Sequence, residues 1–507
     1  MQDLEISGHD LTVRDIVRVA RENQPVVLSE EARAQLRRSR ESVTRALAED
    51  RTIYGVNTGF GKLADVRIDA EKVRELQVNL ARSHACGVGP PLAKDVVRAM
   101  ILIRANALAK GYSGIRVEVV EALIQLLNKS VTPVIPSRGS VGASGDLTPA
   151  AHLALVLVGE GFVEYRGQVF PSMLALCKAG ILSISFEAKE GLAILNGTHG
   201  CSALASIALA EMENLILTAE VAGALSLEAL KGTRSAFDLR IHRIRPHAGQ
   251  IESATTLLAL TRDSEIIASH KDCKKVQDAY SLRCMPQVHG AARTAWRHAL
   301  QVVETEVNSA TDNPLVFPEE PAVVSGGNFH AEPIALVLDY IAIALTELGN
   351  ISERRIERLV NPDLSELPAF LTSQPGLESG FMMNQVVAAA LASENKVYSH
   401  PASVDTIPTE ANMEDHVSMG MHAGLKVFPI VENVKNVLAI ELMCAAQGID
   451  FLAPLKPGWG TARAYAAVRE DIPSLTRDRS TSVDIGRIVQ KINAGEFKRI
   501  AREALNK

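Results

Sequence analysis

The 507-residue sequence predicts a mainly α-helical protein, with a mixed N-terminal region followed by a long central helical bundle. Three observations carry this expectation. From about residue 95 onward, apolar residues recur at helical spacing. Several helical stretches in the second half reach 25 residues or more, lengths found in bundles and oligomer cores. Strand-like segments are short and confined to the first third of the chain. Hydrophobic residues make up 47% and charged residues 22%, enough to fill a large core without disulfide or metal staples.

LEISG (4–8) and VVLS (26–29) read as short β segments among helical ones. DVVRAMILIRANALAKG places Val96, Met100, Ile103 and Leu108 on one helical face, and Gly111 is a natural stop. IRVEVVEALIQLLNK repeats that pattern. GFVEYRGQVF (161–170) reads as a hairpin turning at Arg166-Gly167. Helices are then expected over 202–230, 287–311, 331–360, 380–397, 414–449, 460–477 and 485–505, with a kink at Pro429. The natural division is 1–200, carrying a glycine-serine loop, and 201–507, the helical bundle, with the two parts intertwined.

Composition also excludes partners. The 53 basic residues are balanced by 59 acidic ones, a net charge of −6. That argues against nucleic acid, which demands a basic footprint, and against a polybasic membrane surface. The start MQDLEISGHD lacks the basic and apolar regions of a secretory signal. No uninterrupted apolar run approaches the roughly 18 residues of a membrane span; the best, 334–345, carries Asp339 in its middle. The six cysteines (Cys86, Cys177, Cys201, Cys273, Cys284, Cys444) are scattered, which reads as reduced thiols in a cytoplasmic protein. No metal site is expected: His416 and His422 are six apart, off one helical face, and HExxH is absent.

The most unusual stretch is SRGSVGASGDLTP (137–149), in which Gly139, Gly142 and Gly145 surround Ala143-Ser144. Thr148 and Pro149 read as the cap and first residue of a helix. A tight connection is one reading. A phosphate cradle at a helix N-terminus is another, although no P-loop lysine follows, and GFGKL (59–63) also lacks the P-loop pattern. The third reading is chemical. The Gly145 amide nitrogen adds to the Ala143 carbonyl carbon, and two waters leave, one taken from Ser144. The product is 4-methylideneimidazol-5-one, an electrophile that no standard side chain supplies. Small flanking residues leave room for closure, and a helix N-terminus nearby would favour developing negative charge.

YGVNTGFG (54–61), RSHACGVG (82–89), GSVGASGDLTPAAH (139–152), LNGTH (195–199), QDAYSLRC (277–284), GGNFHAEP (326–333) and SHPASVDTIPTEANMEDHVSMG (399–420) follow in order along nearly the whole chain. Together they resemble the aromatic amino acid ammonia-lyase family. Ser83-His84 and Glu414 resemble its histidine-acting branch; members that take phenylalanine or tyrosine usually carry a partly apolar dipeptide and Gln at these positions. The resemblance implies the ammonia-lyase fold and a prosthetic 4-methylideneimidazol-5-one made autocatalytically from Ala143, Ser144 and Gly145, with no external cofactor. It further implies L-histidine as substrate, trans-urocanate as product, and a homotetramer whose sites draw on three chains. Ala279 stands where the family commonly has proline, and Met413 where it has glutamine; neither change removes a charged or nucleophilic group.

The resemblance assigns roles that fit the residue types. Tyr54, on a Gly-rich lid, serves proton transfer. Arg283 pairs with the substrate carboxylate, because guanidinium offers a planar two-pronged donor. Tyr280, three residues earlier, assists proton transfer or polarises the prosthetic group, and Gln277 hydrogen-bonds in the same site. Asn196 donates to the oxygen of the electrophile. His84 and Glu414 recognise the imidazole, with Glu414 also placed among the catalytic groups; a carboxylate there favours the protonated ring. Phe329 forms an aromatic wall and Met382 lines the ring pocket. Against each role stands a structural one: packing for Tyr54, Phe329 and Met382, a surface salt bridge for Arg283, a local amide for Gln277, an Asn-Gly turn for Asn196, a satisfied histidine for His84, and an acid opening a helix for Glu414. The residues leave open whether the electrophile captures the amine or the aromatic ring. The same chemistry on tyrosine or phenylalanine, a 2,3-aminomutase, and a non-enzymatic helical scaffold remain the rivals.

Overall fold

A computed structural model describes residues 2–49, 52–59, 61–271, 276–320 and 322–507. The protein is mainly helical, as the periodicity predicts. The chain divides into two compact units, each discontinuous in sequence: Met1–Ala210 with Ala299–Asp339 and Pro401–Leu425, and Glu211–His298 with Tyr340–His400 and Lys426–Lys507.

In the first unit, strands Leu4–Ile6 and Val26–Leu28 pair in parallel. Helix Val13–Glu22 opens on a capping box of Thr12 and Asp15. Helix Lys94–Ala109 is buried over nearly its whole length, including Arg98 and Arg104. The Arg98 guanidinium is satisfied by the carbonyls of Val19, Ala20 and Leu127, so it fastens three segments together. Gly111 follows that helix at φ 76°, as its stop signal predicts. The expected hairpin forms from Phe162–Tyr165 and Gln168–Pro171, with Arg166 and Gly167 both at positive φ, as a tight two-residue turn requires.

Asp339, the charge inside the apolar stretch 334–345, is also explained. Its Oδ2 accepts from the backbone nitrogens of Ala402 and Ser403 at 2.9 and 2.8 Å. Two described helices, His199–Ala229 and Glu332–Val360, are in fact long and apolar enough by composition to cross a membrane. Of their apolar windows, 89% and 67% is buried inside the protein, so they read as core helices. A mean over 18 residues tolerates the isolated charged and small polar side chains that interrupt the apolar runs visible in the sequence.

The second unit holds the later helices. Arg355 and Glu441 form a fully buried ion pair, with Nη2 to Oε2 at 2.8 Å. The Ser226 and Ser352 hydroxyls also donate to Glu441, so the buried carboxylate is fully satisfied. Three expected helices differ in extent. The stretch 414–449 is not one helix: Gly420–Leu425 and Val427–Asp450 are separate, and 413–419 is non-helical. Pro429 sits in the first turn of Val427–Asp450, and the interruption at Lys426, three residues before it, falls where a proline that cannot bond to the residue 425 carbonyl is expected to break the helix. The stretch 485–505 breaks at Gly495, φ 73°, into Ser482–Asn493 and Glu496–Asn506. The stretch 460–477 ends at Asp471, just before Pro473. The described cysteines are all free; Cys273 lies outside the described residues.

Candidate active site

The glycine-serine loop lies in the first unit. Its helix begins at Leu147 with Asp146 in the cap position, two residues before the expected Thr148 cap. The Asp146 side chain is used elsewhere. Its Oδ2 accepts from the Cys201 nitrogen at 2.8 Å, in the first turn of helix His199–Ala229. Burial raises the Asp146 carboxyl to about 6, against the pull of that helix N-terminus. The loop is held in unusual backbone conformations: Gly142, Ser144 and Gly145 have φ of 83°, 50° and 82°. Gly145 bridges Gly197, and a Cβ on Gly145 would lie 2.2 Å from the Gly197 carbonyl oxygen. A Cβ on Gly142 would lie 2.2 Å from Ser418 Oγ. Only glycine satisfies both the torsion and the space there.

Three further segments meet this loop. Helix Glu190–Leu195 ends at Asn196, whose Nδ2 donates to the Ser144 carbonyl oxygen at 3.1 Å. Asn196 Oδ1 is buried and has no protein partner. The segment 409–419 supplies Glu414, and the Met419 nitrogen donates to the Val141 carbonyl at 2.9 Å. Ser144 Oγ donates to Glu414 Oε1 at 2.9 Å, and Thr409 Oγ1 donates to Oε2 at 2.7 Å. Glu414 therefore lies in a loop bridged to Thr409, and the reading of it as an acid opening a helix is corrected. Thr409 was not singled out by sequence. Nothing periodic marks it; its only signal is proximity to Glu414 in a non-helical stretch.

His84 closes helix Val73–His84. Its Nδ1 lies 2.9 Å from the Leu80 carbonyl and 3.0 Å from Ser83 Oγ. A carbonyl only accepts, which assigns the proton to Nδ1 and leaves Nε2 with its lone pair. Burial lowers the His84 imidazole below its ordinary value, and the Glu414 charge partly opposes that. Tyr54 opens the Gly-rich loop, and its hydroxyl accepts from the Gly61 nitrogen at 3.2 Å. Burial, and then the carboxylates of Glu410 and Glu414, push its phenol above its ordinary value, so it stands protonated at neutral pH. Phe329 is half-buried in the same unit, one residue before His330.

Gln277, Tyr280 and Arg283 lie in the second unit. They line one cavity of about 420 Å³ with Leu230, Arg358 and Leu364. Tyr280–Arg283 is a single helical turn, and the guanidinium of Arg283 sits 4.6 Å from the centre of the Tyr280 ring. Both residues do face one side, as their spacing predicts. Asp278 anchors the segment by accepting from the Thr233 nitrogen at 2.7 Å. Arg283 Nε is buried without a partner, while Tyr280 is 70% exposed. Met382 begins helix Met382–Tyr398 and does not line this cavity.

The two units carry different groups. The first holds the glycine-serine loop, a carboxylate, an imidazole and a phenol. The second offers guanidinium, phenol and amide groups around a cavity of small-molecule size. Comparison with known proteins agrees. The sequence model of the family "aromatic amino acid lyase" matches residues 11–470. Histidine ammonia-lyase of Myxococcus xanthus is 52% identical over 499 residues, 98% of each chain. Among solved structures, histidine ammonia-lyase from Trypanosoma cruzi superposes with a TM-score of 0.92 at 42% identity, covering 99% of this chain and 96% of that one. Tyrosine aminomutase from Streptomyces globisporus superposes with a TM-score of 0.94 at 38% identity, covering 99% of each. One fold thus carries more than one reaction, and the choice between them rests on the site. The matched length and the order of its motifs settle the broader question: this chain belongs to the aromatic amino acid lyase family.

Proposed function

We propose that the protein is a histidine ammonia-lyase, which eliminates ammonia from L-histidine without oxidation and gives trans-urocanate, the first step of histidine breakdown. The observation that carries this reading is the Glu414 carboxylate, gripped by Ser144 and Thr409 in the segment that packs on the glycine-serine loop.

The residues fit a 4-methylideneimidazol-5-one formed from Ala143, Ser144 and Gly145. The backbone is already sharply bent at Ser144 and Gly145, and no Cβ fits at Gly145. When present, the group supplies an electrophilic carbon for activating the substrate toward loss of its amine. Its ring carbonyl is the Ser144 carbonyl, the atom to which Asn196 already donates. Asn196 thus stands as the donor toward charge developing on that oxygen.

The remaining side chains bind and move protons. Were the Ser144 hydroxyl given up to the prosthetic group, Glu414 Oε1 would be freed, and Thr409 would still hold Oε2. The freed oxygen and His84 Nε2 are two acceptors, and a protonated imidazole offers two N–H donors. Tyr54, protonated at neutral pH, is assigned the exchange of a proton. Arg283 binds the substrate carboxylate, with Tyr280 and Gln277 sharing its cavity. Phe329 and Met382 are assigned to the walls around the ring. Small molecules are the expected partners, with neither nucleic acid nor membrane.

A homotetramer with sites completed across three chains belongs to the same proposal. Its support is an unpartnered apolar stretch at the start of helix Met382–Tyr398, where Met382, Met383, Val386 and Val387 are exposed. The free thiols fit a reducing cytoplasm. The test is a substrate panel read by product, with intact mass measured alongside. Urocanate from L-histidine, on a chain two waters lighter than its sequence, is the expected result. Turnover of tyrosine or phenylalanine in preference to histidine would move the protein to another branch, and an unmodified, inactive chain would favour the scaffold.

A further inference from the structure

The first unit contains a second cluster of side chains that the reaction does not use. His330, Glu332 and His416 each bring a ligand atom within 4.8 Å of the others. The sequence hides this set, because His416 stands 86 residues beyond His330 and no short spacing links them. His330 Nε2 lies 3.3 Å from the His416 carbonyl. That carbonyl accepts a hydrogen bond from Nε2–H, which leaves the lone pair of the other ring nitrogen free for a cation. The two imidazole rings are 5.7 Å apart, centre to centre, and inclined by 31°. Glu332 Oε2 is shielded from solvent and has no hydrogen-bond partner among the described residues, which leaves a carboxylate oxygen unsatisfied beside two imidazoles. Glu332 is also the first residue of its helix, Glu332–Val360.

We propose that His330, Glu332 and His416 form a binding site for a borderline divalent transition cation, with Zn²⁺ as the natural occupant. Two imidazoles and one carboxylate are the donor set such ions prefer, whereas Mg²⁺ and Ca²⁺ select oxygen ligands. Bonds of about 2.1 Å space tetrahedral ligands about 3.4 Å apart. The present span of up to 4.8 Å is wider than that, so binding requires the three side chains to close on the ion. His416 is exposed, which gives the ion a route in, and three protein ligands leave one position for water. The ion would tie the Phe329–Glu332 segment to the Glu414–His416 segment. Neither histidine nor the prosthetic ring enters this inference, so it stands or falls apart from the proposed reaction.

The test uses the full-length protein, stripped with a chelator and dialysed. Zn²⁺ is titrated by calorimetry, and Co²⁺ by its visible absorption, which is intense only at low coordination number. One saturable site per chain is expected, with intense Co²⁺ bands. His416→Asn, at an exposed position, and Glu332→Gln should each weaken binding at least tenfold while circular dichroism stays that of the wild type. Cys86→Ser should bind as the wild type does. Absence of saturable binding, binding unchanged in His416→Asn or Glu332→Gln, or binding lost in Cys86→Ser would each overturn the site.

Discussion

Replacing Glu414 with glutamine tests the site at its centre. The carboxylate accepts two hydroxyl hydrogen bonds, from Ser144 at 2.9 Å and Thr409 at 2.7 Å. Glutamine keeps the shape and one acceptor oxygen but loses the charge. For folding, the change weakens charge-assisted bonds to ordinary ones, about 1 kcal/mol in total at a half-buried position. In a chain of this size that lowers Tm by no more than about 3 °C. For catalysis, the bond proposed between Glu414 and the substrate ring would also be charge-assisted, worth about 1.5–3 kcal/mol. The expected fall in kcat/KM for L-histidine is therefore about 10- to 150-fold. The assay is steady-state urocanate formation, with Tm measured on the same preparations. Thr409→Val serves as the comparison: it removes one grip on the carboxylate but leaves the charge, and should cost less. A Glu414→Gln enzyme within twofold of wild type, or one whose loss follows a collapse in Tm, would refute the assignment.

Ser144→Ala should fold with an unchanged circular dichroism spectrum, lose almost all activity, and keep the full mass of its sequence; substantial turnover would remove the prosthetic group from the account. Arg283→Lys keeps the charge but loses the planar two-pronged geometry, so KM for histidine should rise roughly tenfold with a smaller effect on kcat; an unchanged KM would place the carboxylate elsewhere. Glu228 gives a pH test. Burial raises its carboxyl to about 7 from an ordinary 4.5, and it accepts from the Gly458 nitrogen at 2.9 Å. A group held higher in the folded than in the unfolded chain stabilises below the unfolded value and loses that contribution as pH climbs to the folded one. Wild-type stability relative to Glu228→Gln should therefore decline between about pH 4.5 and 7, by roughly 3 kcal/mol; parallel denaturation curves across that range would contradict it.

Local signals in the sequence were legible where neighbours alone decide the outcome. Helical periodicity located helices His199–Ala229 and Glu332–Val360 to within a few residues. Arg166-Gly167 named its turn because only a two-residue loop at positive φ joins those strands. The Ala-Ser-Gly loop was conspicuous because three glycines in seven residues are poor at anything but close packing or bending. The segment 413–419 was misread because its composition suits a helix, and the reason it forms none lies elsewhere in the chain. Met419 takes φ 54° and donates to Val141, while Ser418 packs where Gly142 leaves room. Tertiary contact overrode local preference there. Gly495 was a readable break that the apolar pattern on either side obscured. The Glu414–Thr409 grip and the His330, Glu332 and His416 cluster were not readable, since each depends on where a loop comes to rest.

The contact between Ser144 and Glu414 spans 270 residues of chain. At ribosomal speeds of about 5–20 residues per second, that is roughly 14 to 54 s of synthesis. Through that interval the nascent tripeptide has no carboxylate to grip its hydroxyl and no Met419 amide to brace the bend beside it. Under the proposed ring closure, that bracing exists only once residues 414–419 have been made, and products truncated before residue 414 are expected to keep the full mass of their sequence.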